Sequence, residues 1–363
     1  MKARPIIIKL VVSVMFCMVT IYTRAQTELV EFIQGGIHDG EKLIQAYLEP
    51  LGKGLGANLN GGWYNTAKVH KSLGFDITIT VVSALPPQSS KTFDLTGIGL
   101  RNLKLKHPEQ SMAPTISGSR FRGPRLVMED PDSGLSLLEF QSVAGLSLPL
   151  IPLPMIKAGV GLPLGLEVNG RFIPKYTYKD MSIYMYGGGL KIDVLQFKAD
   201  EKRSSFLNAS VMGAYTFVNT SSAVDFQTGN YAFTTEDILV VGGQPRYDNQ
   251  KIDILMHGFM GMALVSYDLP LLSPFAGIGY SHSITNVDLL GEYPVVSGLQ
   301  TDSEGQFIVI DDIRNPISLS FDNFSGLQYV IGLRAKIAIV SVHVDYTRAN
   351  YNLFTVGAGV TLR

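Results

Sequence analysis

Leu166-Glu167-Val168-Asn169-Gly170-Arg171-Phe172, followed by Tyr184-Met185-Tyr186-Gly187-Gly188-Gly189-Leu190-Lys191-Ile192-Asp193, is the stretch that decides the fold. In the first segment Leu166, Val168 and Phe172 alternate with Glu167, Asn169 and Arg171. In the second, Tyr184, Tyr186, Leu190 and Ile192 share a face opposite Lys191 and Asp193. Successive strand residues point to opposite faces, so each segment has one apolar and one charged side. Period-two alternation over about ten residues, with aromatics near the ends, predicts a transmembrane β-barrel.

The start of the chain reads as an export signal. Lys2, Arg4 and Lys9 precede the short apolar run Leu10 to Tyr22, and Thr23-Arg24-Ala25 fits a small-x-small cleavage site. Cleavage after Ala25 is expected. It would leave 338 of the 363 residues and remove the single cysteine, Cys17. Disulfides and cysteine zinc sites are then excluded. The signal takes four basic residues and no acid, so the net charge moves from −1 to −5, with histidine neutral. That balance gives no electrostatic footprint for nucleic acid. Charged residues make up 17% of the chain, against roughly 25% in soluble domains. No mature stretch offers the ~18 apolar residues of a spanning helix. A closed sheet is the remaining way to cross lipid.

Working outward, residues 38–56 carry the one helical pattern. Asp39 is a candidate cap, Leu43, Ile44, Tyr47, Leu48 and Leu51 fall at helical spacing, and Pro50, Gly52, Gly54 and Gly56 should end the helix. Twelve strands are expected. They are 55–68, 75–81, 93–105, 135–143, 166–175, 181–195, 205–218, 251–266, 274–288, 324–336, 338–347 and 352–363. A further hairpin would make fourteen. The expectation is thus an all-β transmembrane antiparallel barrel of 12–14 strands with a short N-terminal helix. Its parts are a signal (1–25), a helical cap or plug (26–54) and the barrel (55–363). The long polar connections 106–134, 219–250 and 289–323 sort to one end, as barrel loops do.

The candidate pore-lining residues are Glu167, Arg171, Lys191, Asp193, Arg334, Lys336, His343 and Asp345. They mix both signs, unlike the like-charge rings of ion-selective pores. Pro149, Pro152, Pro154 and Pro163 exclude an ordinary central strand from 146–165. That segment reads as a rigid connector or as the apolar lining of a gap in the wall. The second reading makes Leu150, Ile151, Leu153, Met155 and Ile156 a hydrophobic conduit. His257 with Asp253, and His343 with Asp345, read as polar lumen lining. No histidine spacing fits a metal site, and the glycine clusters lack the context of a nucleotide loop. Ser281-His282-Ser283 cannot assemble a nucleophile and base from adjacent residues, so no enzyme and no cofactor are expected. Trp63, Tyr184, Tyr186, Tyr215, Tyr280, Tyr329, Tyr346 and Tyr351 are expected on interfacial girdles.

The run from Gly54 to Lys68 (GLGANLNGGWYNTAK), then Gly74-Phe75-Asp76, resembles an uncharacterised family of outer-membrane barrels from Bacteroidota-type bacteria. Leu153-Pro154-Met155 through Arg171-Phe172-Ile173-Pro174 fits the same family. More distantly, a helix before such a barrel is similar to long-chain fatty-acid transport channels. The last strand, with Phe354, Val356, Ala358, Val360 and Leu362 on one face, resembles the closing strand of outer-membrane barrels. These resemblances imply an outer-membrane location, lipid and the barrel-assembly machinery as partners, and passive transport or binding of a small hydrophobic molecule. The alternative is a non-transporting surface barrel whose long loops bind a partner or polysaccharide.

Overall fold

The computed structural model describes residues 29–129, 134–197, 206–231, 233, 239–244, 246–302 and 305–362. The expected signal segment lies outside the described residues. Ten strands close into one antiparallel barrel. They are β1 (Phe75–Leu85), β2 (Ile151–Leu162), β3 (Leu166–Tyr178), β4 (Met181–Asp193), β5 (Leu207–Ala223), β6 (Lys251–Tyr267), β7 (Leu272–Leu290), β8 (Ile317–Ile337), β9 (Val340–Arg348) and β10 (Asn352–Leu362). Each pairs with its successor, and β1 closes on β10 from Phe75↔Leu362 to Leu85↔Asn352.

The count is ten rather than 12–14. Residues 55–60 are helical and 61–74 form no strand. Segments 93–105 and 135–143 hold only short strands, 92–94, 103–105 and 136–141, which pair outside the barrel. The hairpin Glu292–Asp302/Gly305–Arg314 also stays outside the wall. Conversely, the proline-bearing 151–162 is a wall strand. With these changes the long connections 86–150, 224–250 and 291–316 share one end of the barrel. The short turns 163–165, 268–271 and 338–339 share the other.

Outward residues such as Ile77, Val168, Val211, Val265, Ile278, Ile331 and Val356 make a continuous apolar wall. Phe172, Tyr186, Tyr215, Phe259, Tyr280, Tyr329, Tyr346 and Phe354 ring it toward the long-loop end, and Phe75, Phe206 and Tyr267 toward the short-turn end. The eight residue steps from Phe259 to Tyr267 span about 20 Å along the barrel axis, at ~3.3 Å rise and ~40° tilt. Trp63 and Tyr351, expected in these rings, are instead buried, 63 inside the lumen and 351 under the loops.

The helix α1 (Ile37–Asn60) fills the lumen, touching β1, β2 and β5 through β8. Among the described residues no helix is long and apolar enough to cross a membrane. The helix continues through Pro50 and three glycines that were expected to end it. Enclosure explains this, because a backbone shut inside a barrel must satisfy its own polar groups. Gly54 belongs to the packing: a Cβ there would lie 2.5 Å from Ile151 Cδ1. Asp39 does not cap the helix. Its carboxylate accepts the N–H groups of Arg101, Asn102 and Leu103 at 2.8 Å each, tying α1 to the loops above.

Candidate functional site

The lumen is layered. Toward the long loops Val82, Ala84, Ile151, Leu153, Met155, Ile173, Met185, Ile254 and Val287 pack on the apolar face of α1. Toward the short turns the inward face is polar: Asp76, Lys157, Glu167, Arg171, Lys191, Arg334, His343 and Asp345 are all buried.

The polar layer grips the end of the plug. Arg171, on β3, donates to the carbonyls of Leu59 and of Gly61 (2.8 Å) and to Thr216 Oγ1 (2.9 Å). Its guanidinium lies 4.1 Å from the Trp63 ring centroid. A cation against the terminal carbonyls of a helix also meets the negative end of its dipole. Farther on, His70 stands between two carboxylates. Nδ1 is 3.0 Å from Glu167 and Nε2 3.3 Å from Asp76, and the His70 N–H donates to Glu167 at 2.9 Å. Lys191 pairs with Glu167 at 2.7 Å and Lys157 with Asp76 at 3.5 Å. Thr66 Oγ1 donates to Asp268 at 3.2 Å and meets Ser266 Oγ at 3.1 Å. His343 lies against Gly357, where a Cβ would fall 2.1 Å from its Cε1.

One ligand atom each from His70, Asp76 and Glu167 lie within 4.8 Å of one another. The chemistry of the set fits an ion-pair network better than a metal. Both carboxylates already face a lysine, and the two imidazole nitrogens point to different carboxylates.

The second element of the site is in the wall. The β1–β2 ladder runs unbroken from Val160 to Ile151, whereas the β2–β3 ladder stops at Ile156↔Phe172. Residues two apart on a strand send their amides to the same edge. Pro152 and Pro154 therefore both remove a donor from one edge. Because the β1 ladder is intact past them, that edge is the one facing β3. Beyond Phe172 the strands part, and Pro154, Met155, Ile156, Ile173 and Pro174 line an apolar notch with Ile79. It begins at the upper aromatic ring, and Met155 and Ile173 close it from the lumen side.

Of the expected pore-lining residues, Glu167, Arg171, Lys191, Arg334, His343 and Asp345 are buried inward, while Asp193 and Lys336 are half-buried at the short-turn rim. Of the expected conduit, Ile151, Leu153 and Met155 are buried inward. Leu150 is exposed before the strand and Ile156 lies on the outer side. His257 and Asp253 face outward, not into the lumen, and Tyr215 Oη meets His257 Nδ1 at 2.7 Å. The sequence reading missed His70, Asp76, Lys157 and Trp63 as lumen residues. The parity of Lys157 with Ile151, Leu153 and Met155 was the available signal for that residue.

In the loops, hydrogen bonds from Lys106 and Arg125 hold the Glu139 carboxyl below the usual carboxylate range. Burial, then the hydrogen bond to Asp312, pushes the Tyr247 hydroxyl up.

A barrel of this order, with a helix inside and an apolar outer wall, defines a class rather than an activity. The chain belongs to the family of unknown function DUF6588, whose profile matches residues 1–362. No curated protein matches it. Among solved structures it is similar to the Escherichia coli outer-membrane protease OmpT, with 8% identity over 80% of this chain and 96% of that one, at a TM-score of 0.31. The Pseudomonas putida toluene transporter TodX aligns with 9% identity over 87% and 75% of the two chains, at 0.28. Ail of Yersinia pestis aligns with 8% identity over 80% and 99%, at 0.21. Similarities this low bear on no activity.

Proposed function

We propose that this protein is an outer-membrane barrel that binds a small hydrophobic molecule and exchanges it passively with the outer leaflet through the β2–β3 notch. The aromatic rings then mark the two interfaces, the long loops face outward, and the short turns face the periplasm. The observation that carries the reading is the interrupted ladder. Two prolines strip one edge of donors where the lumen behind is apolar, and irregular backbone at this depth is tolerated where protein covers it. The resemblance to Bacteroidota-type envelope barrels and to long-chain fatty-acid channels accords with it. A second reading, a non-transporting surface barrel, is favoured by the charged layer beneath the notch, which leaves the plug fastened on the periplasmic side.

The double variant Pro152→Val, Pro154→Val restores both donors and lets the ladder extend. Under the transport reading it should cut uptake of a fluorescent fatty acid into proteoliposomes at least fivefold, with heat-modifiable gel mobility unchanged. Uptake that is absent from the native protein as well would favour the surface-barrel reading.

A further inference from the structure

One strip of the plug meets open space at the outer mouth. Lys42, Gln45, Glu49 and Lys53 recur at helical spacing and are half-buried or exposed, while the other faces of α1 pack against loops and wall. Two clefts of about 280 Å³ each flank this strip and share Glu49. The first runs from α1 to the turn Gln88–Ser90 and the β9–β10 turn, past Thr92, Phe93 and Tyr351. The second lies beside Ile98 and Asp322.

Several features set these clefts apart from ordinary surface grooves. Tyr351 lines the first cleft at 3% exposure, and its buried hydroxyl, with Ser90 beside it, has no partner at full hydrogen-bond geometry. A buried hydroxyl without a partner is a cost that a ligand or water would remove. Pro50, inside the helix, has no N–H to donate to the Ala46 carbonyl one turn before it. The charges balance, with Lys42 and Lys53 against Glu49 and Asp322, and Glu49 already pairs with Lys53. An apolar ligand would leave these groups unsatisfied, and a charged one would meet a like charge. A neutral molecule with many hydroxyls both donates and accepts at each group, and its C–H faces can lie on the half-buried Phe93.

We propose that the clefts around Glu49 bind a sugar unit, a site distinct from the β2–β3 notch and independent of the hydrophobic-exchange reading. The unit could be a free sugar or one residue of a glycan chain.

The test titrates the full mature protein in detergent with glucose, galactose, mannose, N-acetylglucosamine and maltose as free probes, and with dextran as a chain, by calorimetry. Saturable binding of at least one probe is expected. Tyr351→Phe and Glu49→Gln should each weaken it at least tenfold while the heat-modifiable band persists. Tyr351→Phe keeps the buried ring and removes only its hydroxyl, so it should leave folding intact. Free-sugar binding assigns the first source, and dextran binding alone assigns the second. No saturable binding across the panel, or binding unchanged in both variants, overturns the proposal.

Discussion

Arg171→Lys is the substitution that best isolates what fastens the plug. Both side chains are buried cations, so the cost of desolvating a charge is nearly unchanged. What changes is geometry. The guanidinium reaches the Leu59 and Gly61 carbonyls and Thr216 Oγ1 together while lying flat on Trp63. A single ammonium cannot span these acceptors or stack. Losing two hydrogen bonds to a charged donor, at about 1.5–3 kcal/mol each, weakens plug docking by about 4 kcal/mol. At ~1.4 kcal/mol per decade, that raises the undocked population roughly 10³-fold. Single-channel recording should show it. The native protein should give little steady conductance, and Arg171→Lys should open in frequent bursts. Arg171→Met should open less often than Arg171→Lys, because it removes the buried cation as well as its bonds. Native-like quiescence in Arg171→Lys would refute the claim that these bonds fasten the helix.

Deleting residues 26–60 removes the helix from the lumen, so it should convert the quiet barrel to a steadily conducting one. Unchanged conductance would mean that the remaining lumen closes by itself. Glu167→Gln leaves Lys191 buried without its 2.7 Å carboxylate partner and should cost about 3–5 kcal/mol, read as a lower temperature for loss of the folded gel band. The Glu139 carboxyl is depressed by Lys106 and Arg125. Its stabilisation of the loop sheet should be complete above the unfolded glutamate value of ~4.3 and fade as pH falls through the lower folded value. Hydrogen exchange at Arg125–Glu129 should accelerate in that acid window, and Glu139→Gln should flatten the response.

The strands legible in the sequence are those with one apolar and one polar face. β3, β4 and β10 qualify because their outward side is apolar and their inward side meets the polar lumen. Strand β6 misleads because Ile252, Ile254 and Met256 line an apolar stretch of lumen. Both faces are then oily, and period-two reading cannot tell which side carries His257. The run Leu55-Ala57-Leu59 alternates like a strand, yet its backbone is helical because the lumen encloses it. Residues 136–141 alternate for a different reason, since their sheet packs inside the loops rather than in the wall. The prolines of β2 argued against a strand. They are compatible with one because the edge they disable is the edge where the ladder ends. The grouping of His70 with Asp76 and Glu167 depends on register across β1, β2 and β3, and no local pattern encodes that.

The two fastenings of α1 bear on how anything could pass. At the outer end Asp39 binds three loop amides, and Glu31 forms a bidentate pair with Arg122 at 2.8 and 3.0 Å. Tyr47 Oη donates to the Ala144 carbonyl at 2.9 Å, and the Ile116 N–H donates to the Tyr47 carbonyl. At the inner end Arg171 and the Asp268 cluster hold the chain that leaves the helix. Withdrawing the plug would break both sets together, each involving buried or charge-assisted bonds that are costly to leave unmade. Separating β2 from β3 above Ile156 breaks no ladder bond, because none is formed there. Passive exchange has no energy source to dislodge the helix. In this barrel a sideways route at the notch therefore demands far less rearrangement than an axial one.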